Sequence, residues 1–200
     1  MYSKYAELLV DYSLYIKPGD KLYISTTVLA EPLVTEVYKK AIERGADVYL
    51  DLSLKNQDKY FYQHASDSQL KSIPILRKKA MEEFDAYLHI RAPYTLSNDI
   101  PADKRNIRRE ATKEINQVYF KRTADGSMKR SLCQFPTIAN AEAAEMTLQE
   151  YENFVFEACR LFDKNPKSSW EKVSEKQQNI VNYLNNVSSI QFKNEFTDIS

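Results

Sequence analysis

The residues of this chain best suited to ligating a metal or attacking a carbonyl are two histidines, His64 and His89, and two cysteines, Cys133 and Cys159. A hydrolytic metal centre needs three or more His, Asp, Glu or Cys ligands converging on one point, and neither HExxH nor a related spacing is present. A cysteine nucleophile needs a nearby histidine and a positive local field; the sequence around Cys133 and Cys159 supplies neither, and the two form no CxxC pair. No GxSxG elbow presents a serine. With Gly19, Gly45 and Gly126 as the only glycines, neither GxGxxG nor a P-loop can wrap a nucleotide phosphate. Within residues 1–200, then, no catalytic residue and no metal ligand is assigned. His64 and His89 read as hydrogen-bonded packing residues, and the cysteines as buried structural thiols.

The elements that would position any other site alternate between strand and helix. Tyr5, Leu8, Leu9 and Tyr12 recur at helical spacing until Lys17-Pro18-Gly19-Asp20 turns the chain into the apolar run Leu22-Tyr23-Ile24. Pro32 suits a first helical turn, Val34, Val37, Tyr38 and Ala41 share a face, and Gly45 follows the helix end. Val48-Tyr49-Leu50 then completes a βαβ unit over 21–52, with the usual right-handed crossover. Helix with one interruption near Pro74 is expected over 57–84, and a third strand over 86–92. One long helix is expected over 102–122, with Ile107, Ala111, Ile115 and Val118 inward, then a turn at Asp125-Gly126 and a strand over 131–134.

This pattern predicts an α/β fold: a Rossmann-like three-layer domain with a mostly parallel sheet over 1–138, followed by a mainly helical segment over 139–188. Thr147-Leu148-Gln149-Glu150 is a capping box opening a helix whose Tyr151, Phe154, Val155, Ala158 and Phe162 share a face. A second helix is expected over 169–185. Ile190, Phe192, Phe196 and Ile199 then read as β material running to Ser200, which leads to the expectation that 189–200 begins a further, carboxyl-terminal domain.

In an open parallel sheet, ligands gather beyond the carboxyl ends of the strands. Ser25, Thr26, Thr27 and Arg91 fall there and are the candidate cavity residues, with Glu31 added as a carboxylate near a helix N-terminus. A structural role is the first expectation for all five.

Charge and composition narrow the partners. Lysine plus arginine and aspartate plus glutamate number 28 each, so no global field favours nucleic acid or an anionic membrane. Residues 104–130 hold nine basic residues against Glu110, Glu114 and Asp125, while 142–163 holds six acidic residues against Arg160. A solvated helix face is the plain reading of the basic run; a contact with the acidic one is the alternative, and RNA binding a third that lacks aromatic recognition motifs. The start of the chain has no secretory pattern and no apolar run is long enough to span a membrane, so a soluble protein of a reducing cytoplasm is expected.

Several separated segments resemble one family. KYAELLVDYSLYIKPGDKLYI at 4–24 and LAEPLVTEVYKKAIERGADVYLDL at 29–52 resemble the opening of the thermophilic-type metallo-aminopeptidases, the aminopeptidase T, AmpS and PepS group. KRSLCQFPTIANAEAAEMTLQEYENFVFEAC at 129–159 resembles the stretch before that family's second domain, with Thr147 where serine is common. Trp170 and the run Gln177 to Val181 fit as well. The resemblance implies an enzyme that releases N-terminal residues from peptides with two divalent ions, zinc, cobalt or magnesium, held by the second half of a chain about twice this length. It implies a cytoplasmic homodimer that encloses its active sites, with 1–200 shaping the cavity and 104–130, Arg108 and Arg109 included, walling it or meeting the partner. A stand-alone, non-catalytic binding or regulatory domain derived from the same family is the alternative.

Overall fold

A computed structural model describes residues 1–96 and 100–199. Helix α1 (Tyr2–Glu7) continues as a wide π-helical turn over Leu8–Ser13, which keeps the consecutive Leu8, Leu9 and Val10 all buried. Strand β1 (Lys21–Thr27) follows, then α2 (Glu31–Glu43) and β2 (Asp47–Ser53). At the turn into β2, Gly45 has φ +79° and a Cβ there would meet Pro18 at 3.3 Å, so both backbone angle and space call for glycine. Next come α3 (Gln57–His64), α4 (Asp67–Lys71), α5 (Ile75–Glu83), β3 (Ala86–Arg91), α6 (Ala102–Ala111), α7 (Lys113–Ala124) and β4 (Lys129–Gln134). Helices α8 (Ile138–Ala143), α9 (Leu148–Ala158) and α10 (Pro166–Leu184) precede the short strands β5 (Phe192–Asn194) and β6 (Thr197–Ile199).

The first four strands form one parallel sheet in the order β2-β1-β3-β4. Because side chains alternate along a strand, each face has its own core. Leu22 and Ile24 of β1 and Ala86, Leu88 and Ile90 of β3 pack with α1 and α2 in the larger apolar cluster. Tyr23 turns the other way, to Ala80 and Met81 of α5 and Ile115 of α7. The α/β expectation thus describes the fold.

The helical segment is tied back to α1. Phe156, Leu161 and Trp170 join the larger cluster, Tyr2 donates to Glu152 at 2.6 Å, and the Trp170 indole donates to the Cys159 carbonyl at 3.0 Å. The capping box at Thr147 and Glu150 forms as expected.

Several boundaries differ from expectation, each for a local reason. The 57–84 stretch makes three helices, because Ser66 and Gln69 build a capping box that starts α4 before Pro74 starts α5. The expected long helix breaks at Thr112, whose buried hydroxyl donates to the Arg108 and Arg109 carbonyls and competes with the helix ladder. On α9 it is Val155 and Phe156 that are buried while Phe154 is exposed, and the helix ends at Ala158, leaving Phe162 beyond it and also exposed. Tyr38, expected inward, is exposed too. Strand β4 starts at Lys129 and α10 at Pro166, and β5 and β6 pair with one another in an antiparallel hairpin.

Candidate functional site

The register of the parallel sheet brings three strands' polar residues onto one face. Tyr23 lies beside Tyr49 and Tyr87, and Ser25 beside Asp51 and His89. These side chains point away from the larger core, and all but Tyr49, which lies against Phe84, floor a cleft of about 1040 Å³ at the carboxyl ends of β1, β2 and β3. Its floor is a hydrogen-bonded network. The Ser25 hydroxyl lies 2.8 Å from the Tyr87 hydroxyl and 2.9 Å from His89 Nδ1, and the Tyr23 hydroxyl donates to Asp51 Oδ2. Above it, α5 supplies Arg77, whose guanidinium is fixed by a 2.9 Å bond to Asn116 Oδ1 of α7.

Burial sets the protonation of this floor. Desolvation holds the His89 imidazole below its usual range, helped by the charges of Arg91 and Arg77 and opposed by its bond with Ser25. Burial also pushes the Tyr23 and Tyr87 phenols up, Tyr23 further because its proton lies against the Asp51 carboxylate. The imidazole and the two phenols of the floor are therefore neutral at physiological pH.

Four of the five expected cavity residues line this cleft: Ser25, Thr26, Thr27 and Arg91. They do so differently. Thr27 donates its hydroxyl to the Ala92 carbonyl at 2.6 Å, whereas Thr26 is 5% exposed and its hydroxyl oxygen has no hydrogen-bond partner. Glu31 is not among the lining residues; the 3₁₀ turn Val28–Ala30 separates β1 from α2, and Glu31, opening that helix, is exposed. Sequence reasoning missed Tyr23, Asp51, Arg77 and Tyr87 and took His89 for packing alone. The available signal was parity, since Tyr23 and Ser25, and Tyr87 and His89, sit two apart on strands that neighbour one another.

Among the described residues the donor set does not fit a metal, because no three His, Cys, Asp or Glu side chains converge. His89 uses Nδ1 on Ser25, and His64 stacks against Tyr60 with centroids 4.4 Å apart. Burial pushes the Cys133 thiol up to about 12 and raises that of Cys159, which lies 3.3 Å from the Tyr5 hydroxyl, so both are protonated packing groups. Nor is Ser25 set up as a nucleophile, because the nearby carboxylate of Asp51 is engaged by Tyr23 and does not orient His89. What the cleft offers is hydrogen bonding and shape.

The basic run of 104–130 is dispersed among structural roles. Lys104 donates to the Tyr62 carbonyl at 2.7 Å, Arg108 to the Ser72 carbonyl while lying over the Phe61 ring, and Arg122 to the Met81 carbonyl at 2.9 Å. Lys129 pairs with Asp20. Among the described residues none of these cations pairs with the acids of 142–163. No helix among them is long and apolar enough to cross a membrane.

Comparison with known proteins agrees with this architecture. The chain is similar to Aminopeptidase 2 of Geobacillus stearothermophilus, 30% identical over 196 residues, covering 92% of this chain and 47% of that one. It is similar to Aminopeptidase PepS of Streptococcus thermophilus, 24% identical over 186 residues, covering 84% of this chain and 44% of that protein. The chain thus spans about half the length of the curated relatives it matches. Wild-type AmpT from Thermus thermophilus shares the fold, with a TM-score of 0.68 at 18% identity over 86% of this chain and 45% of that one. The profile of the thermophilic metalloprotease family, M29, matches residues 1–200 from end to end, and the chain belongs to that family.

Proposed function

We propose that residues 1–200 form the amino-terminal part of a metal-dependent aminopeptidase that releases N-terminal residues from peptides. The observation that carries this reading is the full-length family match together with aminopeptidase relatives about twice as long. The two divalent ions, zinc, cobalt or magnesium, are held outside residues 1–200. The chain's contribution is then positional. The α/β domain of 1–138, the helical segment of 139–188 and the start of the catalytic domain at 189–200 act in series, and the cleft over Ser25, Thr26, Thr27 and Arg91 walls the peptide cavity. Arg77, fixed by Asn116, gives that wall a positive point against which a peptide carboxylate can rest. The whole enzyme is a cytoplasmic homodimer.

Hydrolysis of leucine and tyrosine p-nitroanilides by the 200-residue chain and by a form extended through the second half, each with zinc, cobalt or magnesium, tests the proposal. Turnover only in the extended form is expected. Metal-dependent turnover by the 200-residue chain would overturn it and return His64 and His89 to consideration as ligands.

A further inference from the structure

The cleft over Ser25 and His89 carries more positive charge than its own carboxylates answer. Arg91, the last residue of β3, lies two beyond His89, so its side chain leaves the strand on the same face. Arg77 reaches in from α5 on a guanidinium that Asn116 of α7 holds at 2.9 Å. Both charges act on His89, whose pKa they help to hold down. Among the described residues neither guanidinium pairs with a carboxylate. Of the acids in the cleft, Asp51 is taken by the Tyr23 hydroxyl, and Asp58 sits next to Lys59 on α3. Arg77, Arg91 and Lys59 thus stand against Asp51 and Asp58, and with a neutral imidazole the described lining carries one positive charge in excess.

We infer that this cleft binds the free C-terminal carboxylate of a short peptide between Arg77 and Arg91, and so selects substrates by their carboxyl end. The inference rests on the proposed function and deepens it. An enzyme that removes N-terminal residues must present the amino end to its metal ions, which that reading puts outside residues 1–200. A subsite within residues 1–200 then has only the carboxyl end and the residues between to recognise. At about 1040 Å³ the cleft is at the top of the range of roughly 300 to 1,000 Å³ usual for small-ligand sites, which leaves room for several peptide residues. A guanidinium fork matches the two oxygens of a carboxylate, and a monoanion neutralises the single excess charge. A phosphate fits less well. It brings nearer two negative charges, and none of Gly19, Gly45 and Gly126 lines the cleft to offer it a loop of backbone N–H groups. Asn116 is a positioning residue here, since it touches Arg77 and not the peptide.

Isothermal titration of the metal-free 200-residue chain with tetraalanine and with its C-terminal amide tests the assignment without any variant. The free acid is expected to bind about tenfold or more tightly than the amide, the contribution of a charge-assisted pair. In Arg91→Gln, at an exposed position that tolerates the change, and in Arg77→Gln, that ratio is expected to fall toward one. Arg77→Lys, which keeps the charge and loses the fork, is expected to restore part of it, and Asn116→Ala to lower it with the charge still present. Equal affinity for acid and amide overturns the inference, as does no binding of either. So does a preference for the acid that survives Arg77→Gln and Arg91→Gln together. An otherwise identical amide with aspartate in its last position that binds as tightly as the free acid also overturns it, because the cleft would then read any carboxylate and not the chain end. The p-nitroanilides carry no carboxylate, so their turnover by the extended form succeeds or fails independently of this result.

Discussion

The two faces of the parallel sheet are built from the same strands and are nearly opposite in kind. Toward α1 and α2, β1 and β3 present Leu22, Ile24, Ala86, Leu88 and Ile90, none more than 1% exposed. Toward α5 and α7 they present Tyr23, whose hydroxyl donates to Asp51 of β2, and Ser25, hydrogen-bonded to Tyr87 and His89, open to a cleft at one end. The first face gains its stability from area removed from water, the second from partners for its polar atoms. A one-residue shift in either strand would exchange the two, which is why the register is held so firmly.

The comparison breaks most sharply at Leu88, which is fully buried in the larger cluster. Leu88→Ala removes buried methyl groups and leaves a cavity that α2 cannot fill without moving, so a loss of about 3 kcal/mol in urea unfolding is expected. A loss no larger than that of an exposed leucine, such as Leu54, would show that this face is not the stabilising one.

A smaller effect, and one with a pH signature, belongs to His89. Tyr87, Ser25, Arg77 and Arg91 surround it, and burial holds its folded-state pKa below the usual value of about 6.5. The unfolded chain takes up a proton as pH falls through that value and the folded chain does not. The stability contributed by the neutral imidazole is thus complete above about pH 6.5 and declines as pH falls toward the folded pKa. The carboxylates held low by their partners, such as Asp11 beside Arg44, add their losses only at more acidic pH. Urea midpoints at pH 7.5 and 5.5 should fall in the parent chain and stay closer together in His89→Gln. An equal fall in both would assign the acid sensitivity elsewhere.

Much of the first face was legible in sequence because its signals are local. Leu22-Tyr23-Ile24 is bounded by Pro18-Gly19, α2 is opened by Pro32 and closed before Gly45, and each cue acts within a few residues of the element it defines. The break at Thr112 was not legible, since a threonine hydroxyl bonding back to the Arg108 carbonyl resembles any other helical threonine until the chain has folded. On α9 the run Phe154-Val155-Phe156 fits more than one helical face, and the choice is made by Tyr2, whose ring meets Phe156 edge-on at 5.6 Å. The cleft was half legible. The rule that ligands gather at carboxyl ends reached Ser25 and its neighbours, but Asp51 and His89 join them only through a register between strands far apart in sequence.

The smallest expected effect is also the most discriminating, because it compares adjacent residues of one strand end. Thr26 and Thr27 differ in what their hydroxyls touch: Thr27 donates to the Ala92 carbonyl at 2.6 Å, while the Thr26 oxygen, buried, has no partner. Valine keeps the branched shape and strand preference of threonine, so replacing each isolates the hydroxyl. Thr27→Val strands the Ala92 carbonyl and should cost about 1 kcal/mol. Thr26→Val removes an oxygen that lost its water on folding and gained nothing, and should stabilise the chain by a similar amount, about 1 kcal/mol. Opposite shifts in the urea midpoint at unchanged slope are the expected result. If Thr26→Val destabilises as Thr27→Val does, its hydroxyl is satisfied in solution and the cleft end is no different from the rest of the floor. If it stabilises the chain yet raises KM for peptides in the extended enzyme, the unsatisfied oxygen is a contact kept open for substrate at the expense of the fold.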